Sequence, residues 1–213
     1  FAPKNDEQKE MLKVISENTI SFCTGPAGTG KSYLSMAYAL SELIKGKYDR
    51  IVLTRAALPA VGENLGWLKG TVEDKIEPYF LPLFHIATEL LGSSVLRSLT
   101  RKGYDSKIII LPFSFMRGHS LANSIIIADE SQNATIEQIH LLLTRIAQGS
   151  KLILVGDLTQ SDLSGVNGLE DAITLLEGIP SITHVRLSEE CIVRHPIIRE
   201  IEQRYNTRRK RKH

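Results

Sequence analysis

Cysteine is scarce in this chain, with only Cys23 and Cys191 among 213 residues. Neither sits in a CxxC pair or in a Cys/His set with ligand spacing, which excludes a disulfide scaffold and a structural zinc module. Two idle or buried thiols fit a reducing compartment, so a cytoplasmic protein is expected. Aromatic residues make up 6%, with one tryptophan; Trp67 reads as an apolar anchor for a glycine-rich loop. Long apolar runs are missing too. None approaches the roughly 18 residues that a membrane span requires, and no membrane partner is expected. Phe1 opens a polar stretch rather than a signal peptide, and a chain beginning without Met is expected to have been trimmed.

An excess of one charge is also absent, because the formal net charge is +2. Five of the 26 basic residues fall in RRKRK at 208–212, leaving 21 against 24 acidic residues in the body. This excludes a strongly basic surface over the whole domain. The basic signal is concentrated in a tail, 206–213, that is expected to be disordered; a solvated tail accounts for it about as well as an RNA contact.

What is present is the ordinary material of a globular domain: 42% hydrophobic and 23% charged residues. At this length a single domain buries roughly 70% of its unfolded surface, so one domain over 1–205 is expected. Short apolar, β-branched runs at 19–24, 50–55, 107–111, 124–129, 151–157 and 183–187 alternate with amphipathic stretches. Those stretches predict helices over 6–17, 31–45, 71–91, 135–147, 168–178 and 196–205. Such alternation points to βαβ units, an α/β fold with a central, mostly parallel sheet and helices on both faces. Four or more of the runs are apolar throughout, as central strands are. The segment 56–104, broken by Pro59, Gly62, Gly66, Gly70, Pro78 and Pro82, reads as an insertion on the sheet.

Three motifs carry chemistry. GPAGTGKS, comprising Gly25, Pro26, Ala27, Gly28, Thr29, Gly30, Lys31 and Ser32, fits GxxxxGK[ST] between a predicted strand and a predicted helix. Its glycines let backbone N–H groups surround a β-phosphate, Lys31 reaches the β/γ oxygens, and Ser32 offers a hydroxyl to Mg²⁺. SIIIADESQ ends an apolar strand in two carboxylates, Asp129 as a metal partner and Glu130 as the base that polarises water. KLILVGDLTQ ends a third strand at the same edge, where Gln160 can orient water or feel the γ-phosphate.

Taken together, GPAGTGKS, DESQ and GDLTQ resemble the first core domain of superfamily 1 helicases. Within that group the chain resembles the PhoH-like ATPases, on TRAALPAVGENLGWLKG (54–70), FSFMRG (113–118), ADESQNAT (128–135), GDLTQSDL (156–163) and VRHPII (193–198). Ala56 and Lys69 depart from the family's prolines and bear on the shape of that loop alone. The resemblance implies a three-layer P-loop NTPase (RecA-like) fold and an ATP- and Mg²⁺-dependent ATPase tied to phosphate starvation or RNA metabolism.

It also implies roles for scattered polar residues. Gln8 falls where superfamily 1 proteins place an adenine-reading glutamine, although Asn5-x-x-Gln8 equally reads as a helix capping box. Arg55 and Arg117 fall where helicases approach nucleic-acid phosphates, and otherwise read as lone surface arginines. Arg194 resembles a γ-phosphate arginine; its alternative is an ion pair with Glu189 or Glu190. His195 reads as a turn histidine before Pro196. One phosphate loop provides one helicase core, so translocation by a monomer is not expected. Three readings remain: an ATPase acting on RNA or single strands as a homo-oligomer, a hexameric ring by resemblance; a nucleotide-dependent binding switch with a protein partner; and a small-molecule phosphotransferase.

Overall fold

Six β-branched runs form six strands in the computed structural model, which describes residues 2–56, 72–101, 103, 106–163, 165–192, 197 and 204, without the side chains of 72–75 and Ser114. The strands are β1 (Ile20–Thr24), β2 (Arg50–Arg55), β3 (Ile108–Ile110), β4 (Ser124–Asp129), β5 (Lys151–Gly156) and β6 (Ile182–Arg186). They lie in the order β3-β2-β4-β5-β1-β6, and every pairing is parallel. β4 and β5 are buried along their whole length, whereas the edge strand β6 is partly exposed. That is the burial expected when helices cover both faces of a parallel sheet.

Side chains alternate between the faces with the two-residue period of a strand. Cys23, Ile51, Leu53, Ile125 and Ile127 pack on one side with α1 (Asp6–Glu17), α2 (Lys31–Ile44), α3 (Val72–Leu91) and α4 (Ser93–Leu99). Phe22, Val52, Ile126, Leu152 and Leu154 pack on the other with α5 (Ile136–Leu143) and α6 (Gly168–Leu175). The result is a three-layer α/β fold whose strands all deliver their C-terminal ends to one edge, where ligands of such sheets bind.

Several boundaries differ from those read in the sequence. The helix expected over 135–147 ends at Leu143, because the Arg145 carbonyl accepts from Leu121 N and the Gln148 carbonyl from Asn123 N. Those bonds divert the chain into a short parallel bridge between Leu121 and Ile146. The helix expected over 168–178 stops at Leu175, ahead of Gly178 at φ 83°. The helix expected over 71–91 forms as α3, and Gly92, at φ 79°, caps the start of α4, a seven-residue helix that the sequence reading did not include. Pro78 and Pro82 lie inside α3, where each removes one backbone donor from the helix. Of the helix expected over 196–205, only Ile197 and Arg204 are described; the tail at 206–213, Trp67 and His195 lie outside the described residues. No single described helix is long and apolar enough to cross a membrane; Ile76–Leu91 and Ser93–Leu99 pass only as a pair bent by 120°.

The last turn of α1 contains no basic residue, and its carbonyls are met from the sheet instead. Buried Lys151 donates to Ile15 O at 2.5 Å, to Ser16 O at 3.4 Å and to Asn18 O. An ammonium at a helix C-terminus satisfies orphan carbonyls and complements the dipole. Lys151→Met is therefore expected to destabilise the fold by about 2–3 kcal/mol, because buried carbonyls lose their donor. Urea unfolding of the two proteins measures it, and a midpoint unchanged in the variant refutes the cap.

Candidate functional site

The turn between β1 and α2 is built around positive φ angles at Gly25 (142°), Gly28 (85°) and Gly30 (92°). At Gly25 a Cβ would collide with the backbone oxygen of Leu187, so the close approach requires glycine as much as the dihedral does. The turn wraps around the ammonium of Lys31. Its Nζ donates to Gly25 O at 2.5 Å, Pro26 O at 2.7 Å and Thr29 Oγ1 at 3.3 Å. Burial pulls this ammonium below the ordinary lysine value, and the carboxylates of Asp157, Asp129 and Glu130 act against that. The site thus holds one buried cation facing three carboxylates at the N-terminus of a helix.

Parallel pairing of β2, β4 and β5 sets the acidic side of the site. Asp129, the last residue of β4, accepts from Ser32 Oγ at 3.0 Å, although 97 residues separate the two. Burial and the charge of Glu130 push its carboxyl above the usual range, with Arg55 and the Ser32 hydroxyl partly offsetting them. Glu130 follows in a left-handed conformation (φ 52°, ψ 35°), which turns the chain sharply at the sheet edge. A non-glycine residue there carries backbone strain, a feature that clusters at functional sites.

Its carboxylate is held from two sides. Gln132 Nε2 donates to Oε2 at 2.6 Å and Arg55 Nη2 to Oε1 at 3.3 Å, while Arg55 Nη1 donates to the Tyr79 carbonyl of α3 at 2.6 Å. Arg55 is therefore no lone surface arginine: its side chain is 20% exposed and lies 3.9 Å from Asp129 Oδ2.

Residues not singled out by sequence reasoning complete the cluster. Gln132 Oε1 accepts from Asp157 N at 3.1 Å, so one amide joins the ends of β4 and β5. Asp157 Oδ1 accepts from Thr159 N and Thr159 Oγ1, while its buried Oδ2 has no hydrogen-bond partner. The signal for both was visible: Gln132 and Asp157 sit in DESQ and GDLTQ, immediately beyond apolar strands. Gly156 keeps the space open, since a Cβ there would press on Leu169 and Gln132.

The remaining candidates are more scattered. Gln8 lies on α1 with its backbone N–H on the Asn5 cap at 2.9 Å; its side-chain Nε2 donates to Thr29 O at 2.9 Å and its Oε1 accepts from Lys4 N at 2.8 Å. Asn5 thus caps the helix, but Gln8 Oε1 accepts from Lys4 N in place of the reciprocal bond from Asn5 N, and Gln8 Nε2 is spent on the phosphate loop. Gln160 is exposed past the end of β5, with its backbone N–H on Asp157 O. Arg117 is exposed in the loop after the 3₁₀ turn Phe113–Phe115. Arg194 lies outside the described residues.

The family described as PhoH-like protein matches residues 1–206. The chain belongs to the PhoH-like family. It is 42% identical over 205 residues to a PhoH-like protein of Mycobacterium tuberculosis, covering 95% of this chain and 57% of the relative. Identity is 37% over 204 residues with a Synechocystis PhoH-like protein (95% and 61%) and 37% over 205 residues with Protein PhoH of Escherichia coli (95% and 57%). The chain thus spans about three fifths of the length of these PhoH-like relatives. Among solved structures, the Pif1 helicase from Candida albicans aligns with a TM-score of 0.44 and 19% identity, over 88% of this chain and 40% of that one. PhoH-like membership and the phosphate loop mark a P-loop NTPase.

Proposed function

We propose that this chain binds ATP with Mg²⁺ and hydrolyses it, acting in RNA metabolism or on single-stranded nucleic acid. The observation that carries the reading is the placement of Glu130, turned out by its left-handed backbone beside the Lys31, Ser32 and Asp129 cluster. In use, Lys31 exchanges the loop carbonyls for β/γ oxygens of the nucleotide, and the N–H groups at the start of α2 face the same phosphates. Glu130 takes a proton from water as the water oxygen bonds to the γ-phosphorus. The bond from that phosphorus to the bridging oxygen breaks, and ADP leaves with the electron pair.

The residues present fit Mg²⁺. The Ser32 hydroxyl and Asp129 carboxylate converge at 3.0 Å, and the described residues hold no group of three or more His, Cys, Asp or Glu side chains arranged as a metal cage. One or two protein oxygens plus substrate phosphates is the usual Mg²⁺ arrangement. When bound, the ion neutralises charge developing on the phosphoryl oxygens. The deciding experiment is ATP hydrolysis by purified protein of known solution mass, with and without RNA and single-stranded DNA. Absence of turnover under every condition refutes the reading.

The proposed working form is a homo-oligomer with ATP at a subunit boundary, a hexameric ring in the preferred arrangement. What supports it is the requirement for an added cation: an arginine at the γ-phosphoryl is worth about 10³ to 10⁵ in rate. Lys31 is committed to the β/γ oxygens and Arg55 to Glu130; Arg194 of a neighbouring subunit is the first candidate because its segment resembles the one from which helicases present a γ-phosphate arginine. A head-to-tail contact of that kind closes into a ring or grows into a filament. Mixing inactive Arg194→Ala and Lys31→Ala proteins is expected to restore part of the turnover. An Arg194→Ala protein as active as its parent refutes this donor.

A further inference from the structure

We propose that Arg55 is a positioning residue that restrains Glu130 from α3, acting as a brake on hydrolysis; the inference rests on the hydrolysis reading above. The register of β2 on β4 places Arg55 directly opposite Asp129, so the sheet itself delivers the guanidinium to the side of the next residue, Glu130. One arm of the fork, Nη1, is anchored on the Tyr79 carbonyl at 2.6 Å, while Nη2 meets Glu130 Oε1 at 3.3 Å. The other carboxylate oxygen accepts from Gln132 at 2.6 Å. Both oxygens of the base are thus engaged by donors that cannot accept a proton. A carboxylate acting as general base must offer a lone pair to the attacking water, and Arg55 competes with that water for one of its two oxygens.

The bridge also couples two parts of the fold. α3 lies in the 56–104 connection and touches the sheet edge through this guanidinium, so a displacement of Tyr79 pulls on the contact to Glu130. Planar arginine can span both acceptors at once; lysine, with a single nitrogen, can reach only one.

The size of the effect follows from the geometry. The Glu130 side chain is 39% exposed and the contact is 3.3 Å long, which makes it a weak ion pair whose loss changes rates by a small factor, about two- to fivefold. An arginine stabilising the γ-phosphoryl in its own subunit would behave oppositely, and its removal would cost about 10³-fold or more.

The test compares the parent protein with Arg55→Gln, Arg55→Lys, Glu130→Gln and the double variant Arg55→Gln/Glu130→Gln. For each, kcat is measured alongside the Kd of a fluorescent ATP analogue. Arg55→Gln is expected to raise kcat about two- to fivefold with Kd unchanged, Arg55→Lys to raise it by less, and the double variant to be no faster than Glu130→Gln alone. A kcat at or below the parent in Arg55→Gln, or a gain that persists without Glu130, overturns the proposal. If Arg55→Gln does not fold, Arg55→Lys decides by the same criterion, with kcat above the parent required. A parent protein that hydrolyses no ATP refutes the hydrolysis reading and this one with it; a working parent with a slower Arg55→Gln refutes this one alone.

Discussion

Glu130→Gln is expected to bind ATP as the parent protein does and to hydrolyse it about 10² to 10⁴ times more slowly, the usual contribution of a positioned general base. The substitution keeps the shape, and an amide oxygen can still accept from Arg55 or Gln132. What disappears is the group that takes the proton. Because Lys31 and the loop N–H groups are untouched, affinity for the nucleotide is conserved, and the loss falls on kcat. Equilibrium binding of an ATP analogue together with single-turnover hydrolysis separates the two. A variant that turns over at close to the parent rate removes Glu130 from the reaction.

Lys31→Ala acts at the earlier step. The residue is 7% exposed, and its ammonium satisfies the Gly25 and Pro26 carbonyls while facing Asp129, Glu130 and Asp157. Without it an incoming triphosphate meets three carboxylates and no buried cation. Breaking a buried charge arrangement by removing one partner costs about 3–5 kcal/mol, and loss of that much binding energy weakens affinity by about 10²- to 4 × 10³-fold. Calorimetric titration with ATP and Mg²⁺ is the direct measurement. Submicromolar binding by the variant would contradict the phosphate-loop assignment. The empty loop also reorganises without its lysine, so a lower thermal midpoint is expected alongside the lost binding.

Much of this site was legible because a parallel sheet converts strand ends into neighbours. GPAGTGKS, ADES and GDLTQ each follow an apolar run, and apolar runs become central strands whose C-terminal ends share one edge. From that alone the meeting of Ser32 and Asp129 could be expected. The bridges between strand ends could not. That Gln132 spans Glu130 and Asp157 depends on the left-handed turn at Glu130, and nothing in ADESQ signals a positive φ at that residue. Arg55 looked like a surface residue because its partners, Tyr79 and Glu130, are brought to it by an insertion helix and by strand register. The end of α5 was misjudged for a similar reason: the apolar pattern continues through Ile146, but distant backbone at Leu121 and Asn123 claims those carbonyls. Lys151 carried no sequence signal at all, since a lysine opening a strand reads as an exposed flank and its helix lies more than a hundred residues earlier.

The position of β1 has a consequence for the order in which the molecule can be made. Its two neighbours are β5 and β6, so residues 20–24 wait for residues 152–156 and 182–186 before either edge is paired. During synthesis the strands β2, β3 and β4 can find one another within residues 50–129, while β1, apolar through most of its length, stays open on both sides. Non-local parallel pairing is slow and leaves exposed edges prone to association. The strand that carries the phosphate loop is therefore the last of the central four to be locked in place. A nascent or truncated chain that stops short of β5 has the GPAGTGKS sequence but no folded platform to hold it, and it leaves both sides of β1 open where the complete sheet pairs them with β5 and β6.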